Sequence, residues 1–87
     1  MIEYHAAYYR YDDSTWIIAR VLDFPGVISQ GKTLRSARRM IRDALKLMAE
    51  CAIEEGEPLP RPNQRAADKK AILVERIRVS LRVGAAT

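Results

Sequence analysis

DFPGVISQGKT, residues 23–33, sets two glycines, a proline and a helix-capping threonine within a short stretch. Pro25-Gly26 suits the two central positions of a type II turn. Proline presets the first φ, and glycine accepts the positive φ of the second. Residues 27–30 then read as a short strand, which Gly31 ends. Thr33 reads as a helix N-cap, its hydroxyl placed to accept a first-turn backbone N–H. A full capping box would carry Glu or Gln three residues on; Ser36 stands there, so an incomplete box is expected. The stretch is thus a pair of joints, one between strands and one from sheet to helix. Gly26 and Gly31-Lys32-Thr33 also fit the phosphate-loop spacing G-x-x-x-x-G-K-[ST]. That motif needs a loop between a parallel strand and a helix, with an acid on another strand to hold magnesium. The VISQ between the glycines is strand-like, and a structural turn is the better reading.

Working outward, IEYHAAYYRY (2–11) is tyrosine-rich and free of glycine and proline. Ile2, Tyr4, Ala6 and Tyr8 form the more apolar of its two alternating sets, as in a strand. Asp12-Asp13-Ser14 signals a turn. TWIIARVLD (15–23) gives a second strand and completes a hairpin. Beyond Thr33, the apolar residues Leu34, Ala37, Ile41, Ala44, Leu45, Met48 and Ala52 recur at helical spacing. The helix should run to about Glu55, with Gly56 terminating it and Pro58 soon after. Residues 57–70 form a proline-rich connector. AILVERIRVSLRV (71–83) gives a last strand, with Ile77, Val79, Leu81 and Val83 on one face. Glu75 interrupts that pattern, and a bulge or register change is expected near Val74-Glu75. Residues 84–87 are a tail.

The order β-β-β-α-β predicts an α+β two-layer sandwich: a three-stranded antiparallel meander, a returning strand, and one long helix on one face. The other face should be solvated or covered by another subunit. The exposed edge of the last strand invites pairing, so a homodimer or larger homo-oligomer is expected. With 87 residues, the chain is expected to form one domain over 1–87. No apolar run is long enough to span a bilayer, and no signal peptide is visible, so a cytoplasmic protein without membrane contact is expected.

Chemistry-bearing residues are sparse. One cysteine, Cys51, and one histidine, His5, build neither a disulfide nor a Cys-rich zinc site. No catalytic residue, cofactor or metal is expected. Cys51 falls in the helical apolar pattern and is expected to be buried or half-buried. Glu50, Glu54, Glu55 and Glu57 gather at the helix C-terminus, where the macrodipole disfavours them; they mark a partner contact or a plain solvated face. The net charge is +4. Arg35, Arg38, Arg39, Arg42 and Lys46 recur at spacings of three and four along one helix face. Arg76, Arg78 and Arg82 share one strand face. Such stripes suit phosphates or carboxylates, because guanidinium offers forked donors. They are the candidate contacts for a partner or for nucleic acid.

Three motifs in order carry a family resemblance: Asp23-Phe24-Pro25-Gly26, Gly31-Lys32-Thr33 and Gly56-Glu57-Pro58-Leu59-Pro60. The chain resembles the HicB-type antitoxin domain over roughly residues 2–62, with the final strand at about 71–83. The resemblance implies a partial ribonuclease H-like fold without that fold's catalytic acids. It also implies a partner, a small RNA-cleaving toxin that the antitoxin blocks. Many members carry a C-terminal DNA-binding segment; a chain ending in a strand at Thr87 would be a short form without it. Family helices often begin with glutamates, whereas here Leu34-Arg35-Ser36 and Arg38-Arg39 follow the threonine. Two functions follow as expectations: a non-catalytic antitoxin or orphan relative, and, as the alternative, a nucleic-acid-binding module using the arginine stripes.

Overall fold

The computed structural model describes residues 1–11 and 15–82. The expected Asp12-Asp13-Ser14 turn, Val83 and the tail 84–87 lie outside them. Four strands and one helix follow in the order β1 (Ile2–Tyr9), β2 (Ile17–Val21), β3 (Ile28–Gly31), α1 (Leu34–Glu54) and β4 (Leu73–Val79). The strands form one antiparallel sheet in the order β3-β2-β1-β4. The first strand is therefore central and the last lies at an edge. The expected α+β arrangement of a meander, a helix and a returning strand is the one found.

One sheet face and α1 enclose the core. Tyr4, Ala6 and Tyr8 of β1, Ile17, Ala19 and Val21 of β2, and Ile77 of β4 are buried against Ala37, Ile41, Leu45 and Ala49 of α1. These helix positions are a strict four-residue row. Because four residues turn 400°, the row drifts slowly round the helix. Ala49 therefore takes the core position expected of Met48, which stays exposed. Cys51 is also exposed, not buried as expected. It sits two positions, about 200°, from Ala49 and so lies on the far side of the helix.

Gly26 has φ of 92°, and the Val27 amide donates to the Phe24 carbonyl at 3.3 Å, as a type II turn over Pro25-Gly26 requires. Gly31 is needed for a different reason: an added Cβ would overlap Ser36 Oγ and the Ala37 amide, where strand meets helix. The capping box expected to be incomplete is complete. Thr33 Oγ1 accepts from the Ser36 amide at 3.0 Å, and Ser36 Oγ accepts from the Thr33 amide at 3.3 Å. Serine reaches because its short side chain lies directly below the cap. Gly56, at φ of 74°, closes the other end of the helix.

The second sheet face is partly covered by the chain itself. Helix α1 ends near Phe24 and Pro25, whereas β4 begins beside Tyr8 at the opposite end of the sheet. The connector must travel back the length of the sheet, and it does so across the second face. Leu59 still packs on the core, and the Pro60 carbonyl accepts the Tyr4 hydroxyl at 2.6 Å. Further on, the Asn63 amide reaches Asp23, and Asp68 accepts the Tyr9 hydroxyl at 2.8 Å. His5, Ala7 and Tyr9 are buried as a result. Part of the face expected to meet solvent or another subunit is thus covered by the chain itself.

The expected bulge near Glu75 is also absent: β1 and β4 pair without interruption from Ile2–Val79 to Tyr8–Leu73. Glu75 points to the helix side, in step with Ile77 and Val79, and a polar contact described below accommodates it there. Replacing Gly31 with alanine is expected to cost about 1–3 kcal/mol through overpacking at the strand–helix joint. In a chain of this size each kcal/mol lowers the melting temperature by about 4–8 °C, which a thermal scan by circular dichroism measures.

Candidate functional site

Five of the eight basic side chains singled out in the sequence are engaged within the fold. Arg38 grips Glu75 with two hydrogen bonds, Nε to Oε2 at 2.9 Å and Nη2 to Oε1 at 3.0 Å. The Tyr8 hydroxyl donates to the same carboxylate at 2.8 Å. One turn on, Arg42 donates to the Arg78 carbonyl at 3.0 Å, and Lys46 donates to the Ser80 carbonyl at 3.1 Å. Glu50 completes the row by accepting from the Arg82 amide at 2.8 Å. Residues 38, 42, 46 and 50 are spaced by four, so they form a line that fastens α1 to β4 and to the chain beyond it. On the other face, Glu3 pairs with Arg78 at 2.7 Å and with Arg76 at 3.7 Å. Arg35 and Arg39 are exposed and have no ion pair among the described residues. The two carbonyls held by Arg42 and Lys46 lie on or just past the edge strand, so the edge expected to pair with a second copy is partly occupied.

These contacts set the local ionisation. Burial acts to raise the Glu75 carboxyl, but hydrogen bonds from Arg38 and Tyr8 outweigh it and hold the group below the usual carboxylate range. Burial and the bond to Glu75 push the Tyr8 phenol well above its ordinary value.

Asp23, the first residue of the turn motif, is buried and ties three segments together. Its Oδ1 accepts the His5 amide at 2.8 Å, and its Oδ2 lies 2.8 Å from His5 Nδ1 and accepts the Asn63 amide at 3.0 Å. Burial alone would raise its pKa; the donors from His5 and Asn63 lower it below the ordinary value. The remaining motif residues are structural: Pro25 and Gly26 form the turn, Gly31 and Thr33 launch α1, and Gly56 ends it before Pro58. Residues 28–31 are a strand paired with β2, so their amides are not arranged as a phosphate cradle. Among the described residues no group of three or more His, Cys, Asp or Glu side chains is placed to hold a metal. No described helix is long and apolar enough to cross a membrane.

The acidic end of α1 borders a feature that the sequence did not show. A cleft of about 540 Å³ is lined by Phe24, Pro25, Met48, Ala52, Pro58 and Pro60, with Glu55 and Glu57 beside them. Glu54, Glu55 and Glu57 are exposed, and the last helical turn holds no basic residue. Cys51 also lines the cleft. The proline spacing alone was a signal for such a wall, but its meeting with Pro25 requires the fold.

The family model described as "HicB_like antitoxin of bacterial toxin-antitoxin system" matches residues 4–75. The chain is similar to the crystal structure of the N-terminal domain of the Burkholderia pseudomallei antitoxin HicB, at 26% identity and a TM-score of 0.74. That match covers 92% of this chain and 100% of that one. It is similar also to the crystal structure of the Burkholderia pseudomallei antitoxin HicB, at 26% identity and a TM-score of 0.79, over 100% of this chain and 72% of that one. A chain of the HicA3 and HicB3 toxin-antitoxin complex shares the fold at 18% identity and a TM-score of 0.67, over 93% of this chain and 99% of that one. No curated protein sequence matches.

The carboxylate of Asp23 yields a prediction with a definite sign. Its pKa is lowered by folding, so its contribution is present above the unfolded value of about 4 and is lost as pH falls through the folded value. Asp23→Asn keeps one acceptor oxygen but sets an NH2 where the other stood, leaving donors there unpaired, which is expected to cost about 1–3 kcal/mol at neutral pH. Denaturation followed from neutral pH into the acid range should show wild type and variant converging as pH drops. Parallel curves would show that Asp23 is not a source of the acid sensitivity.

Proposed function

The chain belongs to the HicB-like antitoxin family of bacterial toxin–antitoxin systems, and on that footing we propose that it is a non-catalytic cytoplasmic antitoxin that binds and blocks a small RNA-cleaving toxin. The match to the family over residues 4–75 is the observation that carries this reading. A seat for the toxin at the end of α1 is supported by charge and shape. A protein that cleaves RNA must attract phosphates and so presents a basic surface. This chain is itself basic, and most of its surface would repel such a partner. Among the described residues an exception is the end of α1, where Glu54, Glu55 and Glu57 are exposed beside an apolar cleft. An apolar centre with a charged rim of opposite sign is the composition of a specific protein interface. The toxin-binding surface is accordingly the cleft between the Pro25-Gly26 turn and residues 57–60.

Co-expression with the product of the adjacent gene is expected to give a stable complex and to suppress RNA cleavage by that product. The triple variant Glu54→Lys, Glu55→Lys and Glu57→Lys should weaken inhibition by roughly tenfold or more, mainly at low salt. Absence of both complex and inhibition would remove the antitoxin reading. Full inhibition by the triple variant would keep the reading and move the contact elsewhere.

A further inference from the structure

The connector does not cover the whole second face, and the uncovered corner carries an exposed aromatic side chain beside two cations. Tyr9 and Tyr11 of the first strand and its extension hold their rings parallel within 6°, with centroids 6.3 Å apart. Tyr9 is buried and fixed, its hydroxyl held by Asp68 at 2.8 Å. Tyr11 is 61% exposed and offers a ring face to solvent. Beside the pair, Ile18 and Ile28 form an apolar wall, and Ile28 is 58% exposed. Arg20 lies over the Tyr9 ring at 5.7 Å, and Lys70 closes the far side of a cleft of about 370 Å³. Among the described residues lining it the one acid is Asp68, which is already engaged by Tyr9, by the Lys70 amide and, at 3.6 Å, by Arg20. The Arg20 side chain is still half exposed and keeps donors free for another anion.

An exposed aromatic plane, an apolar wall and two cations are the parts that bind unpaired nucleotides: bases stack on the ring while the cations meet phosphates. We propose that this corner is a stacking platform for single-stranded nucleic acid, with a base on Tyr11 against Ile18 and Ile28 and its flanking phosphates on Arg20 and Lys70. A duplex does not fit, because its bases are already stacked on one another. A protein partner is the less suitable occupant, since among the described residues the cations outnumber an acid that is already satisfied. The site is separate from the acidic cleft at the end of α1 and does not depend on the antitoxin reading. It also differs from the arginine stripes, most of whose members have partners within the fold.

The test uses the full chain and a fluorescent oligouridine of about ten nucleotides, followed by anisotropy. Binding is expected, and two phosphate contacts predict that it weakens by about sevenfold between 50 and 200 mM salt. Tyr11→Ala should weaken binding by roughly 5- to 150-fold, the equivalent of one stacked base. Tyr11→Phe should retain it, and a duplex should compete poorly. Tyr11 is exposed, so the alanine variant should keep the wild-type circular dichroism spectrum. Three results would overturn the proposal: no binding by the wild type at 50 mM salt, full binding by Tyr11→Ala with loss in Arg35→Ala/Arg39→Ala, or a Tyr11→Ala variant whose mass by light scattering drops, which would make the corner an interface between copies.

Discussion

The buried carboxylate of Asp23 holds together the first strand, the turn after the second and the connector. A buried charge is tolerated only when its lone pairs are filled. Here the fillers come from β1, through the amide and ring of His5, and from the connector, through Asn63. The same residue opens the turn that leads to β3. If the turn shifts, the donors are stranded; if the connector lifts, the acceptor loses one partner and His5 is exposed. The strand–turn joint and the covering of the second face are therefore one interaction, although 40 positions separate Asp23 and Asn63.

The joints were legible in the sequence because each is local. Pro25-Gly26 and Gly56 announce themselves through φ, and Thr33 through its hydroxyl and its place before a periodic run. The strands and the helix followed from alternation and from apolar residues at helical spacing. What was not legible depended on side chains meeting across the fold. Glu75 looked like an interruption in β4 because Arg38 and Tyr8, which receive it, lie far away in sequence. The cover over the second face was hinted at by Ala7 and Tyr9, too apolar for a solvated set. Yet only the placement of the two ends of the connector shows that it must cross there. The serine in the capping box was misjudged for a simpler reason: the rule names the longer side chains that usually make it.

Net charge does not say which cations a fold engages internally. The helix and last strand carry enough arginine to suggest a phosphate-binding stripe. Arg38, Arg42 and Lys46 instead fasten the helix to β4, and Arg76 and Arg78 share Glu3. Guanidinium suits both jobs for the same reason, a fork of donors that matches carboxylates, carbonyls and phosphates alike. Only the location of acceptors within the fold distinguishes them. The exposed acids at the end of α1 are fewer, but they have no ion pair among the described residues.

The sheet order has a consequence for synthesis. β1 is central, and one of its two neighbours is the final strand, with Tyr8 opposite Leu73. A ribosome adding about 5–20 residues per second needs roughly 3–13 s to reach Leu73 after Tyr8. During that interval β1, β2 and β3 can pair and α1 can settle on them. One edge of the central strand, rich in tyrosine, nevertheless stays open. The nascent chain thus passes through a state whose unpaired edge is the middle of the finished sheet, and only the last strand to emerge closes it.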